Sequence, residues 1–223
     1  MTLKLFVQAM AKMLLGLVSV CFLIFVPAGT IKFFNGWLFV VSLFVPMFLA
    51  GVVMMFKSPE LLKRRLDINE TENEQKLVIV LSAIMFVLGF VVAGFGFRFS
   101  WYMVSKTVVA FATVMFFVSY VLYGEVLKQN PYLSRTIKVC IEQKVIDNGL
   151  YGIVRHPMYS VTLIMFLSVP LILGSLYSFF IFLAYPFIIA KRIKSEEKFL
   201  ETNLDGYIEY KKKIKYRLIP FIW

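Results

Sequence analysis

The sequence predicts an all-α, polytopic membrane helix bundle, with four spans, a short C-terminal helical hairpin and a cytoplasmic C-terminal helix, which makes about six membrane segments. Hydrophobic residues make up 60% of the 223 residues, and the mean hydropathy is +0.81. Soluble domains are closer to half apolar. The apolar residues form continuous runs without period-2 alternation, which argues for helices over a membrane barrel. We expect one integral membrane domain over residues 1–223.

The first 127 residues contain four apolar segments, each long enough to cross a hydrocarbon core of roughly 30 Å. These segments are residues 13–29, 33–56, 77–97 and 101–127. We therefore divide the domain into a four-span part, residues 1–127, and a C-terminal part, residues 128–223, which holds a loop, the hairpin and the C-terminal helix.

The hairpin is predicted from a stretch of 33 residues, 158–190, that contains no Lys, Arg, Asp, Glu or His. One crossing needs about 20 residues, so this stretch is too long for one ordinary span and short for two. Gly174 and Ser175 stand at its midpoint and can form a tight turn. Because a hairpin returns the chain to the side it left, the clusters GLYGIVRHPMY at 149–159 and RIKSEE at 192–197 should meet on one membrane face.

The net charge of +11 is distributed as the positive-inside rule expects, which argues against a nucleic-acid partner. With a hairpin at 158–190, 21 of the 24 Lys and Arg residues lie on one side. In the loop before the hairpin these are Lys128, Arg135, Lys138, Lys144 and Arg155. A single span would instead put the nine cations of the C-terminal tail outside. We expect both termini and both clusters in the cytoplasm, the lipid bilayer as partner and no obligate protein partner.

His156 is the chain's one histidine, and Pro157 after it suits the first position of a helix while disfavouring helix at residue 156. The N–H groups of that first turn would suit an anionic group such as a carboxylate. Arg155 and Tyr159 add donors and an aromatic face, and Tyr151 lies just upstream. This loop is therefore suited to a small zwitterionic ligand.

Each cluster also has a purely structural interpretation. Arg155 and His156 suit anchoring at lipid headgroups, and Arg192 and Glu196 are four residues apart and suit a salt bridge on one helix face. Their joint position at the two ends (the feet) of one hairpin, which lie on the same membrane face, favours a functional site. One histidine and two distant cysteines leave no usual N/S ligand set, so no metal is predicted.

With these motifs together, the chain resembles the isoprenylcysteine carboxyl methyltransferase family and its phospholipid methyltransferase relatives. The resemblance runs from about residue 130 to the C-terminus, and it includes both clusters, Gly206-Tyr207-x-x-Tyr210 and YRLIP at 216–220. It implies S-adenosyl-L-methionine as cofactor and a lipid-like or prenylated acceptor, a carboxylate or an amine. Many carboxyl methyltransferases have Gly after the tyrosine that Tyr159 matches. This chain has Ser160, which weakens a prenylcysteine substrate more than the cofactor.

The resemblance also implies roles for the residues that match family motifs. The strip whose backbone groups hold the adenosine part in the family is matched by Gln143, Lys144, Val145 and Ile146. Tyr151 matches the aromatic residue after the family's glycine. The segment that contacts the methionine portion is matched by His156, Pro157, Met158 and Tyr159. Glu196 matches the acidic cofactor contact, and Arg192 matches the arginine beside the acceptor. We predict both Arg192 and Glu196 to be catalytic.

Two other functions stay open at the level of the sequence. Sterol- or steroid-type membrane reductases carry an RHP-like motif and bind NADPH, but they usually continue with Asn-Tyr-Leu-Gly-Asp-like residues where this chain reads MYSVT at 158–162. A non-enzymatic membrane protein, such as a transporter or assembly factor, is the other alternative. Transport usually requires ionisable residues at mid-membrane, whereas Lys106 and Glu125 lie near the ends of the fourth span.

Overall fold

The protein is an all-α membrane helix bundle, as the sequence predicts. The computed structural model describes residues 3–67, 73–134, 136–137, 139–140 and 142–223, and these residues form nine α-helices and one 3-10 turn. Five helical segments are long and apolar enough to cross a membrane, and the first leg of the hairpin is a shorter apolar helix. The chain is therefore an integral membrane protein. Two cations of the predicted cytoplasmic loop, Arg135 and Lys138, lie outside the described residues.

The first two spans, α1 (Leu3–Ala28) and α2 (Phe34–Lys57), pack as a pair joined by a short turn. α1 begins well before the apolar run at 13–29, because residues 3–12 are mostly good helix formers, with Lys4, Gln8 and Lys12 as their polar members, and no Gly or Pro interrupts them. Large apolar side chains of α1 face outward, with Val18 and Phe22 64% and 62% exposed. Such a surface is suited to lipid.

A short helix on the bundle surface, α3 (Pro59–Leu66), follows α2 and begins with a proline at its first position. Two of its arginines reach the loop that later forms one wall of the site. Arg64 donates to the Pro131 carbonyl at 2.9 Å, and Arg65 donates to the Ser134 carbonyl at 3.3 Å. α3 therefore ties that loop to the four-span part of the chain.

The third and fourth spans are α4 (Asn73–Arg98) and α5 (Lys106–Gln129). α5 begins later than the predicted segment at 101–127, because the Ser105 side chain caps it by accepting the Val108 N–H at 3.4 Å. The residues between the two helices run to the hairpin turn, where the Val104 N–H donates to the Gly174 carbonyl at 3.0 Å.

The predicted hairpin consists of α6 (Pro157–Ile172) and a second leg that is divided into α7 (Leu176–Phe182) and α8 (Tyr185–Asn203). The turn lies where the sequence places it. Gly174 has a φ of +79°, a conformation that glycine adopts without strain. Ser175 then caps α7 by accepting a backbone N–H.

The second leg bends between α7 and α8. Pro186 lies in the first turn of α8 and has no N–H to donate to the preceding turn, so the helix is interrupted there and begins again at Tyr185. α7 and α8 together cover residues 176–203 and are long enough to span. α8 carries the RIKSEE cluster beyond the apolar stretch, where it meets the start of α6.

The bundle core sets the positions of both feet of the hairpin. α4 packs against α1, α7 and α8, while α6 packs mainly on α5. The close approach of α4 and α7 requires Gly89, because a Cβ there would overlap the fully buried ring of Phe182. The Gly89 carbonyl also accepts a hydrogen bond from the Ser178 hydroxyl at 2.8 Å.

The chain ends in a short helix, α9 (Tyr207–Lys213), and a tail, residues 214–223, that folds back on the loop before α6. The N–H groups of residues 155 and 156 donate to the carbonyls of Tyr216 and Arg217, both at 2.9 Å. The tail is therefore part of the wall around the RHP motif.

Candidate active site

The two polar clusters that the hairpin is predicted to bring together do meet at its feet. Tyr159, in the first turn of α6, donates its hydroxyl hydrogen to Glu196 Oε2 at 2.5 Å. The same hydroxyl oxygen accepts a hydrogen bond from Arg192 Nε at 2.7 Å. The guanidinium carbon of Arg192 lies 5.8 Å from the centre of the Tyr159 ring. Tyr159 thus joins the two residues of α8 to which the resemblance gives catalytic roles.

The start of α6 has the backbone that the sequence predicts, with Pro157 as its first residue. The His156 ring stacks on the Tyr159 ring, with centroids 5.7 Å apart and planes 25° apart. The N–H groups of Tyr159 and Ser160 both donate to the His156 carbonyl. In this described turn, the Met158 N–H is therefore the one that remains for an anionic ligand.

Glu197, next to Glu196, belongs to a separate buried ion-pair network. Its Oε1 accepts a hydrogen bond from Arg155 Nε at 2.7 Å and lies 3.3 Å from His156 Nε2. Its Oε2 accepts from Arg217 Nε at 2.9 Å. Because only 2% of Glu197 is exposed, these contacts are shielded from water. The network holds the RHP loop, α8 and the tail together.

Sequence reasoning names neither Arg217 nor Glu197 as a site residue. Neighbouring residues on an α-helix point about 100° apart, so one glutamate of the pair faces Tyr159 and the other faces Arg155. The family resemblance singles out Glu196, but nothing in the sequence indicates that Glu197 is held in buried ion pairs. The signal for Arg217 was the YRLIP motif of the tail, which belongs to the resemblance but has no assigned function.

A cleft opens between the loop after α5, the 3-10 turn (Gly149–Gly152), α8 and α9. It encloses about 810 Å³ of space that is continuous with the solvent at its mouth. Nine predicted site residues line it: Gln143, Lys144, Val145, Ile146, Tyr151, His156, Met158, Tyr159 and Glu196. Within the described part of the chain, Pro157 and Arg192 are the predicted site residues that do not line it.

The strip at 143–146 is held in place at both of its ends. The Gln143 side-chain oxygen accepts the Cys140 N–H at 3.0 Å, which closes a local turn. Just after the strip, Lys213 Nζ of α9 pairs with Asp147 Oδ2 at 2.6 Å. The hydrogen bond from Lys213 and its charge lower the pKa of the Asp147 carboxyl. The strip is therefore a fixed wall of the cleft.

Tyr151 lies in the 3-10 turn and is also fixed by contacts at both ends. Its hydroxyl oxygen accepts a hydrogen bond from Asn130 Nδ2 at 3.0 Å, and its carbonyl accepts one from the Tyr210 hydroxyl at 2.8 Å. Burial raises the pKa of Tyr151 to about 12, so the side chain stays neutral. Sequence reasoning did not identify Asn130 or the loop residues Ser134 and Thr136 as part of this wall.

The lining also includes Tyr207 and Tyr210 of α9, which the sequence placed in a motif without a function. Tyr207 is 4% exposed, and its hydroxyl has no hydrogen-bond partner among the residues that the structure describes. Within the same residues, no group of three or more His, Cys, Asp and Glu side chains is arranged for a metal ion.

Comparison with a known protein family agrees with the resemblance seen in the motifs. Residues 108–202 match the family described as the isoprenylcysteine carboxyl methyltransferase (ICMT) family. The match begins inside α5, earlier than the resemblance from about residue 130, and it contains all eleven predicted site residues. It ends before α9, which contributes Tyr207 and Tyr210 to the lining of the cleft.

A curated relative shows a more limited similarity. Delta(14)-sterol reductase TM7SF2 of the mouse, Mus musculus, is 32% identical over 91 residues, which are 40% of this chain and 22% of that protein. The chain therefore matches less than a quarter of the length of that relative. The match to the isoprenylcysteine carboxyl methyltransferase family covers 95 of the 223 residues, and it is the family that the sequence motifs resemble.

Proposed function

We propose that the chain is an S-adenosylmethionine-dependent methyltransferase that acts on a membrane-embedded or lipid-like acceptor at the cytoplasmic face. The observation that carries the proposal is the contact of Tyr159 with Glu196 and Arg192 beside the cleft. These residues lie inside the segment that matches the methyltransferase family.

The cleft suits a nucleoside joined to a charged amino acid. The extended strip at 143–146 offers backbone groups for a base and a ribose, and its apolar side chains offer a surface for them. The other end of the cleft presents His156, Tyr159 and Glu196. The buried hydroxyl of Tyr207 is a donor that a ligand can satisfy. S-adenosylmethionine, when bound, supplies a methyl group that its sulfonium activates.

Glu196 and Tyr159 suit the sulfonium end of such a ligand. A cation is attracted both by a carboxylate and by the face of an aromatic ring, and these two groups are joined by a hydrogen bond. Arg192 holds the same tyrosine from the other side. Methyl transfer is an in-line displacement in which positioning supplies much of the acceleration, and this three-residue arrangement fixes the position of Glu196.

Arg192 is the residue that we assign to the acceptor. A carboxylate acceptor needs no general base, and a guanidinium can hold one of its oxygens while the other reacts. An amine acceptor must lose a proton, for which Glu196 is the better placed carboxylate. Glu197 is less suitable because both of its oxygens are held in ion pairs. Both acceptor classes stay within the proposal.

The positive-inside rule supports a cytoplasmic cleft and cytoplasmic termini. α8 and α9 carry exposed cations next to the cleft, which include Lys191, Lys194, Lys198, Lys212 and Lys213. A water-soluble cofactor would enter from the cytoplasm. A prenylated or other lipid-like acceptor would approach from the bilayer, which the apolar surface of the bundle contacts.

A membrane reductase is the second function to consider, because part of the chain is 32% identical to a sterol reductase. A nicotinamide dinucleotide would need cationic or N–H groups for its phosphates. Of the cationic side chains described in the lining, Arg155 is engaged with Glu197, and Lys144 is at the strip. An acidic residue, Glu196, lies beside the tyrosine at the other end. This distribution favours a sulfonium cofactor over a phosphorylated one.

Calorimetric titration of the purified full chain with S-adenosylmethionine and, separately, with NADPH tests the proposal. We expect saturable binding of S-adenosylmethionine and none of NADPH. Binding of NADPH alone would make the chain a reductase. The absence of binding by either compound to folded protein would favour a non-enzymatic membrane protein.

A further inference from the structure

Tyr207 is the buried polar side chain of the cleft whose hydrogen-bonding capacity is not used. Its side chain is almost fully enclosed, with 4% of the residue exposed, and it lines the cleft. Its hydroxyl finds no partner among the described residues. Native proteins rarely leave a buried hydroxyl unpaired, and such a group requires an explanation.

The neighbouring Tyr210 shows that this is not a general property of α9. The two rings are 5.8 Å apart and both residues are buried. The Tyr210 hydroxyl donates to the Tyr151 carbonyl at 2.8 Å, whereas the Tyr207 hydroxyl does not find an acceptor in the described protein. α9 therefore offers one satisfied and one unsatisfied donor within a single turn.

The state of the Tyr207 hydroxyl is determined by its surroundings. Burial raises the pKa of Tyr207, and the nearby charges of Glu197 and Glu196 raise it further. The hydroxyl is therefore protonated at any physiological pH and acts as a donor. An acceptor atom of a ligand would therefore satisfy this donor.

The position of Tyr207 indicates which part of a ligand it meets. Tyr207 belongs to an apolar cluster with Leu204 and Tyr210, and Val145 of the strip at 143–146 packs against that cluster. Tyr159 in the first turn of α6 and Glu196 on α8, which suit the sulfonium, are joined by a hydrogen bond. Tyr207 thus lies near the strip at 143–146, where the nucleoside is proposed to bind.

From these observations, and resting on the proposed function, we infer that the Tyr207 hydroxyl donates a hydrogen bond to an acceptor atom of the cofactor's nucleoside, a ribose oxygen or a ring nitrogen. α9 is then part of the cofactor site, although it lies beyond the segment that matches the family, which ends at residue 202. Tyr207 acts as a positioning residue.

The test compares Tyr207→Phe with Tyr210→Phe in the detergent-solubilised full chain. Without ligand, Tyr207→Phe should melt at or above the wild-type temperature, because it removes an unpaired buried oxygen. Tyr210→Phe should melt lower, because it removes the bond to Tyr151 and leaves that carbonyl unpaired. A merely structural Tyr207 would behave as Tyr210 does, so lower stability of Tyr207→Phe would overturn the inference.

Calorimetry with two probes, S-adenosylhomocysteine and 5′-methylthioadenosine, then measures binding. Tyr207→Phe should weaken both by about tenfold, about 1.4 kcal/mol, because both carry the nucleoside. Unchanged affinity for both would show that the hydroxyl binds no ligand atom, and weakening of S-adenosylhomocysteine alone would place it at the amino-acid end. Either result overturns the inference while the wild type still binds. Failure of the wild type to bind either probe would instead overturn the proposed cofactor itself.

Discussion

Changing either of the adjacent glutamates of α8 to glutamine should separate the fold from the chemistry. Glu197→Gln replaces one carboxylate oxygen with an NH₂ group, which cannot accept a hydrogen bond. Whichever way the amide turns, a donor then faces either Arg155 and His156 or Arg217. Breaking a buried ion pair costs about 3–5 kcal/mol. At roughly 2–4 °C per kcal/mol for a chain of this size, the melting temperature should fall by roughly 6–20 °C.

The same exchange at residue 196 should have little effect on stability. Glu196 is half-buried, and its hydrogen bond from Tyr159 can still be accepted by a glutamine oxygen. We expect a change in melting temperature below about 3 °C, which corresponds to about 1 kcal/mol. Affinity for S-adenosylmethionine should fall by roughly tenfold, because the negative charge beside the sulfonium is lost.

Thermal unfolding of both variants in one detergent, with and without S-adenosylmethionine, measures these effects together. The reasoning is refuted if Glu197→Gln melts within about 2 °C of the wild type, or if the two variants lose equal stability. The second result would mean that the carboxylates do not have separate functions.

Three further outcomes are expected. Arg192→Ala should lower turnover by orders of magnitude with a stability loss of about 1 kcal/mol or less, and Arg192→Lys should rescue poorly because an ammonium lacks the planar fork; near-normal turnover in the alanine variant would contradict the role. Gly89→Ala should destabilise the bundle by about 1–3 kcal/mol in detergent unfolding, because the new methyl group overlaps Phe182; wild-type stability would argue against this packing. A tag after Trp223 should be accessible to protease from the cytoplasm, and access from the outside alone would overturn the topology.

The membrane architecture could be predicted because spans and hairpin follow from local properties of the chain. Residues 158–190 lack charge and have a glycine at their midpoint, and the structure turns at Gly174. The predicted helix boundaries were less accurate where a helix extends beyond its apolar run or begins inside it. α1 extends towards the N-terminus through residues 3–12, which are mostly good helix formers, and α5 starts later because Ser105 caps it.

The sequence predicted the two clusters and, through the resemblance, the strip at 143–146 as parts of the site. The meeting of the two clusters follows from the hairpin, but which side chains touch depends on helix rotation and on packing between distant segments. Glu196 and Glu197 are adjacent residues of the same type, and they face different partners in the structure. α9 lines one side of the cleft, and the tail contacts α8 through Arg217 and Glu197; no local pattern in the sequence indicates either arrangement.

Methyl transfer itself is measured most directly by incubating the purified protein with lipid extracts and methyl-labelled S-adenosylmethionine and analysing the extracts by mass spectrometry. We expect label in a lipid-like product with the wild type and a loss of that product with Arg192→Ala. The mass of the product will show whether a carboxylate or an amine accepted the methyl group. No labelled product from any extract, with a folded wild-type protein that consumes NADPH instead, would contradict methyl transfer as the function.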